Sequence, residues 1–158
     1  MSAKKKKTKK KHATKAKKTK TTKTSVDAAL LDQLVREATA VREHAYAPYS
    51  RYRVGAAIRT KRGSIYVGCN VENSTFGATI CAERGAIMQM VAHGETDPIA
   101  CAVVTDDGGS PCGICRQVLA EFARDMPIVL VAAKAADGES GKVVQLAELL
   151  PLAFRLNG

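Results

Sequence analysis

Cys81-Ala82-Glu83 and, further on, Pro111-Cys112-Gly113-Ile114-Cys115 put three thiols and one carboxylate into two short clusters. A Cys-x-x-Cys pair alone fits either a redox couple or half of a structural zinc site. A third cysteine two residues ahead of a glutamate narrows that choice. Three protein ligands leave tetrahedral zinc an open fourth position, which separates catalytic sites from closed structural ones. Zinc bound in that way lowers the pKa of water towards neutrality. Glu83 is not needed as a ligand and lies within a turn of Cys81, so it can accept the proton of that water and return it to a ring nitrogen and a leaving amine. The chemistry suggested is hydrolytic removal of an exocyclic amine.

Both clusters are expected at helix N-termini, where the helix dipole and unpaired amides favour thiolate over thiol. Three thiolates against one Zn²⁺ leave a formal charge of −1. Arg84 and Arg116 each directly follow a site residue, and their guanidinium groups are expected to hydrogen-bond sulfur and draw off part of that charge. Cys69 and Cys101 lie in apolar runs without partners at ligand spacing and read as small core residues.

The positioning elements follow from periodicity. Ser25 is a suitable N-cap for a helix whose apolar stripe runs through Leu30, Leu31, Leu34, Val35, Ala38 and Val41, ending before Pro48. Val54 to Ile58 and Ile65 to Gly68 read as strands joined by a turn at Lys61-Arg62-Gly63-Ser64. Asn70-Val71-Glu72-Asn73 follows at a strand end, where it is either a surface turn or part of a ligand site. A helix is expected over Thr79 to His93 with Gly94 as its stop, and a second from Cys112 to about Arg124. Ile99 to Val104 and Ile128 to Ala133 read as buried strands. A turn at Asp137-Gly138 leads into Val143-Val144, and Leu146 to Phe154 closes the chain as short helix or coil. Strands alternating with helices predict an α/β fold, three-layer α/β/α, with parallel pairings after one antiparallel hairpin.

The chain has 158 residues, enough for one compact domain. Its net charge of +10 is unevenly spread. Of 25 basic residues, 12 are lysines in residues 1–24, which hold no acid, so the remainder carries 13 basic against 15 acidic residues. Residues 1–24 are expected to be a disordered Lys-rich tail, with residues 25–158 forming the catalytic domain. The tail reads either as a weak, nonspecific polyanion-binding arm or as a solvated segment without a partner. Without aromatics it has nothing to stack on bases. No apolar run is long enough for a membrane span, and the N-terminus lacks a secretory core, so a cytoplasmic address is expected. Five cysteines in a reducing compartment suggest metal rather than disulfides.

Cys-x-Glu followed by Pro-Cys-x-x-Cys is the signature of zinc deaminases. From Tyr46 to Gln117 the sequence resembles the homotetrameric cytidine deaminases. The motifs are Pro48-Tyr49-Ser50 through Val54-Gly55-Ala56-Ala57, Gly68-Cys69-Asn70-Val71-Glu72-Asn73-Ser74, Ile80-Cys81-Ala82-Glu83-Arg84 and Ser110-Pro111-Cys112-Gly113-Ile114-Cys115-Arg116-Gln117, with Leu149 to Phe154 similar to the family's C-terminal segment. The resemblance implies a five-stranded mixed sheet and one zinc per chain held by Cys81, Cys112 and Cys115, with Glu83 as proton shuttle. It implies that Asn70 and Glu72 bind the sugar, that Ala82 and Tyr52 contact substrate, and that Phe154 reaches a neighbouring subunit's substrate in a homotetramer. Tyr52 stands where the family usually has Phe. The lysine-rich tail departs from the family.

Cytidine and deoxycytidine are the substrates this implies, in pyrimidine salvage. Blasticidin S deaminases share the Cys-Ala-Glu and Pro-Cys-x-x-Cys elements. A tail-directed polynucleotide deaminase would account for the tail, but a site that caps sugar hydroxyls excludes a phosphodiester. A nucleic-acid-binding protein with structural zinc leaves Glu83 without a role.

Overall fold

The structure is a computed structural model that describes residues 27–134 and 141–156. Five strands form one sheet in the order β2-β1-β3-β4-β5: β1 Gly55–Thr60, β2 Ile65–Cys69, β3 Pro98–Thr105, β4 Pro127–Ala132 and β5 Lys142–Gln145. The helices are α1 Ala28–Arg42, α2 Ala82–Ala92, α3 Gly113–Phe122 and α4 Leu146–Leu149. Among the described residues no helix is long and apolar enough to cross a membrane.

Side-chain alternation along the central strands makes the layers. Ala57, Ala100, Ala102 and Val104 pack with Leu34 and Ala38 of α1 on one face. Ala56, Ile58, Cys101 and Val103 pack with Ala86, Ile87 and Met90 of α2 and Leu119 of α3 on the other. The continuous apolar run of β3 is therefore buried from both sides, and Cys101 is wholly core.

Four details differ from the sequence reading. Only β3 and β4 pair in parallel; β1 is antiparallel to both its neighbours and β5 is antiparallel to β4. The reason is that the β2–α2–β3 connection passes over β1, so two strands of like direction do not touch. Asp27 caps α1 by accepting a hydrogen bond from the Ala29 amide at 3.2 Å, while Ser25 and the Asp137-Gly138 turn lie outside the described residues. The helix expected from Thr79 begins at Ala82, because Ile80 is extended and paired with Val71. Finally, α3 stops at Phe122, two residues short of Arg124.

Register explains how the two cysteine clusters converge. Gly55, at the start of β1, lies opposite Cys69 at the end of β2 and Val104 near the end of β3. Both strands therefore finish at one edge of the sheet, and both following helices start there. Gly68 lets α2 lie close: a Cβ on it would fall 2.4 Å from the Ala82 carbonyl oxygen and 2.5 Å from the Ala86 nitrogen. Only glycine fits that approach.

Candidate active site

Cys81 is the N-cap of α2, Cys112 the N-cap of α3, and Cys115 sits in the first turn of α3. Their three sulfurs lie within 4.8 Å of one another, with Cys81 Sγ and Cys112 Sγ 3.9 Å apart. Tetrahedral zinc with Zn–S bonds of about 2.3 Å requires sulfurs about 3.8 Å apart. The donor set thus has the chemistry and spacing of a three-thiolate metal site, and no other such cluster occurs among the described residues.

The thiols share charge unequally. Cys81 is drawn down to about 5, first by a hydrogen bond from the Cys115 thiol, against the cost of its partial burial, and then by the Arg84 guanidinium. Cys115 is pushed up, first by that same bond with Cys81 and then by burial. Arg84 donates to the Thr79 carbonyl at 2.6 Å, and its Nε is buried without a hydrogen-bond partner. The Arg84 guanidinium favours the Cys81 thiolate, while the hydrogen bond it makes goes to the Thr79 carbonyl and not to sulfur. Arg116 behaves differently from expectation. It donates to the carbonyls of Pro111 at 2.7 Å and Leu149 at 3.1 Å and to Ser110 Oγ at 2.8 Å, with no bond to sulfur. Its guanidinium is consumed in fixing the loop ahead of Cys112 to the C-terminal end of α4.

Glu83 is 4% exposed in the first turn of α2. Burial raises its carboxyl above the usual carboxylate range, and the neighbouring Cys81 charge adds to the shift. A carboxyl beside a metal site and biased towards its protonated form is suited to carrying a proton back and forth.

The loop after β2 borders this cluster. Val71 is bridged to Ile80 on one side and to Tyr46 on the other, so Asn70 and Glu72 are separated from Cys81 by one strand-like pairing. Asn70 is buried; its Oδ1 accepts from the Val54 amide and its Nδ2 donates to the Tyr52 carbonyl, both at 2.8 Å. Glu72 accepts from the Tyr49 amide at 2.8 Å and from the hydroxyl and amide of Ser50, and the Ser50 hydroxyl is the main cause holding its carboxyl below the ordinary value. These two residues hold the Tyr49–Val54 loop.

Tyr52 has a use for its hydroxyl: it donates to Asp107 Oδ1 at 2.6 Å, tying its loop to the turn that precedes Cys112. Phe154 is 68% exposed, with its backbone bonded to Gln117. Asp107, Gln117, Ser50 and Phe76, whose ring meets Tyr49 edge-on at 5.9 Å, were missed in the sequence. The family-like Ser110 to Gln117 motif held a signal for Gln117. The Pro48-Tyr49-Ser50 motif likewise held one for Ser50, while Asp107 and Phe76 belong to loops with no period to betray them.

Residues 28–132 match the family model described as the cytidine and deoxycytidylate deaminase zinc-binding region. The chain belongs to that deaminase family. A cytidine deaminase from Sporosarcina psychrophila is 46% identical over 127 residues, 78% of this chain and 90% of the relative. The crystal structure of cytidine deaminase from Burkholderia pseudomallei superposes with a TM-score of 0.72 at 40% identity, covering 78% of this chain and 98% of that one. A blasticidin-S deaminase from Bacillus cereus is more distant, at 32% over 120 residues, 68% of this chain and 81% of the relative. The three-layer fold around a five-stranded mixed sheet is that of the deaminase structures.

Proposed function

We propose that this chain hydrolyses the exocyclic amine of cytidine and deoxycytidine, giving uridine or deoxyuridine and ammonia. The observation carrying this reading is the buried Glu83 carboxyl two residues from a cysteine whose sulfur clusters with those of Cys112 and Cys115. One zinc per chain, held by those three sulfurs, would supply the Lewis acidity that makes water nucleophilic at neutral pH.

Glu83 takes one proton from the attacking water and delivers it to the ring nitrogen, then takes the second from the hydroxyl that attack leaves on the ring carbon and delivers it to the departing amine, which leaves as ammonia. Its raised pKa suits both halves of that shuttle. Arg84 offsets the charge on Cys81. Asn70 and Glu72 receive the sugar hydroxyls with the hydrogen-bonding capacity their loop contacts leave free. Ala82 and the Tyr52 ring border the base. Phe154 is contributed to a neighbouring copy's site within a homotetramer. The catalytic domain is residues 25–158, and the setting is cytoplasmic pyrimidine salvage.

The test is direct. Purified protein given free cytidine should release ammonia and form uridine with one bound zinc per chain. Glu83→Gln should lower kcat by about 10²–10⁴-fold and keep its zinc. Substantial turnover by that variant would end the shuttle assignment. Turnover of blasticidin S but not of cytidine would move the substrate to the sister class suggested by the Bacillus cereus relative.

The Lys-rich tail, residues 1–24, lies outside the described residues. Its reading is weak, nonspecific polyanion binding by counterion release. Deleting it should leave cytidine kinetics unchanged and abolish salt-sensitive binding to duplex DNA; equal binding by both forms would refute the role.

A further inference from the structure

Phe154 combines a fixed backbone with a free ring. Gln117 Nε2 donates to the Phe154 carbonyl at 2.7 Å, and Gln117 Oε1 accepts from the Phe154 amide at 3.1 Å. A primary amide that meets both backbone groups of one residue imitates a strand partner, so it fixes that residue's orientation as well as its position. On either side, Arg116 donates to the Leu149 carbonyl at 3.1 Å and Arg155 to the Ala123 carbonyl at 3.3 Å. The phenyl ring is left 68% exposed. A ring left this exposed gains little packing for its own chain from being held in this way. It is arranged to be presented.

The clamp comes from the helix that carries a metal ligand. Gln117 lies two residues after Cys115 on α3, and Cys115 is wholly buried in the thiol cluster. We infer that Gln117 is a positioning residue that sets the pose of Phe154, and that through α3 it joins one subunit's metal site to the substrate pocket of the subunit receiving that ring. This rests on the assignment of Phe154 to a neighbouring copy's pocket. Gln117 touches no substrate itself. Its effect is to reduce the disorder that Phe154 would lose on meeting a bound nucleoside, which is preorganisation of a binding contact.

Three variants of the full-length, zinc-loaded enzyme test this. Gln117→Met keeps the side chain's length and deletes both amide bonds. It should raise KM for cytidine about five- to tenfold, the scale of one or two hydrogen bonds, with kcat and zinc content unmoved. Phe154→Ala should raise KM by at least as much. The double variant should be no worse than Phe154→Ala alone, because a clamp with no ring to hold has nothing left to do. Additive losses would overturn the inference, as would a fall in kcat accompanied by zinc loss, which would make Gln117 a structural support of Cys115. If Phe154→Ala raises KM while Gln117→Met does not, the clamp fails and the reading of Phe154 stands. If Phe154→Ala leaves KM unchanged, the reading of Phe154 itself fails.

Discussion

Val71 and Ile80 exchange both backbone hydrogen bonds, at 2.9 and 3.0 Å. The residue between Asn70 and Glu72 is thereby locked to the residue before Cys81. The Asn70–Glu72 loop and Cys81 are thus one rigid unit, although β2 and α2 are separate elements. Tyr46 closes the same unit from its far side, with its amide donating to Asn70 and its carbonyl accepting from Glu72 at 3.0 and 2.8 Å. Small shifts of α2 against β2 should consequently disturb the three-cysteine cluster and the Asn70–Glu72 loop together.

Gly68→Ala tests that coupling. The added methyl would meet α2 backbone atoms, which cannot swing aside as a side chain can. We expect a stability loss of about 3 kcal/mol, the upper end for overpacking, and substoichiometric zinc. Chemical denaturation and metal analysis measure the two. A variant with wild-type stability and full zinc would show that the close approach is not constraining.

Arg84 and Arg116 should separate cleanly. Arg84→Gln removes the guanidinium that favours the Cys81 thiolate and should weaken zinc about 10–100-fold, as loss of an outer-shell partner does. Arg116→Gln removes bonds to Pro111, Ser110 and Leu149. It should therefore lower stability by about 1 kcal/mol and loosen the C-terminal end of α4, with the smaller effect on metal. Chelator competition ranks the two, and the reverse order would refute the division of roles.

Tyr52→Phe deletes only the hydroxyl. Asp107 keeps its bonds from Thr105 Oγ1 and the Gly109 amide, both at 3.2 Å. The expected result is a stability loss of about 1 kcal/mol with a nearly unchanged KM for cytidine, since the ring remains. A tenfold rise in KM, about 1.4 kcal/mol of binding, would instead assign the hydroxyl to the substrate.

Metal ligation demands particular residue types at short spacings, so the Cys81, Cys112 and Cys115 cluster was legible in the sequence, and Glu83 stood out by its place two residues after Cys81. So were the strands, because β3 is buried on both faces and must be apolar throughout. The partners of Tyr52 and Phe154 were not, since they lie 55 and 37 residues away and two of the contacts engage backbone atoms, which any residue supplies. The sheet's mixed character was legible, but the single parallel pairing between β3 and β4 was not, for a related reason. Alternating strands and helices specify a crossover but not whether a strand lies beneath it, and here β1 does. Arg116 was misjudged because adjacency to a ligand in sequence does not fix where a long side chain goes, and the Leu149 carbonyl competes for it.

Glu95 offers a test of acid stability away from the active site. It is 8% exposed just beyond Gly94, and its Oε1 accepts from Ser64 Oγ at 2.7 Å and from the Tyr66 hydroxyl at 2.9 Å, while Oε2 is buried without a partner. Its carboxyl is held below the ordinary value, first by the neighbouring Thr60 hydroxyl and then by the Ser64 hydrogen bond, with Tyr66 and the Arg62 charge assisting against burial. The His93 ring lies against the Tyr66 ring, with centroids 5.2 Å apart. A folded pKa below the unfolded value of about 4.3 means that the charged form is favoured by folding. The resulting stability is fully present above the unfolded pKa and is lost as pH falls through the folded one. Glu95→Gln should therefore be less stable than the parent at neutral pH, and the gap should close below about pH 4. Urea midpoints for both proteins across that range measure the difference. Zinc release in acid affects both alike and cancels in the comparison. A gap that stays constant with pH would mean that Glu95 acts by shape alone, and its charge would then contribute nothing to the hairpin it caps.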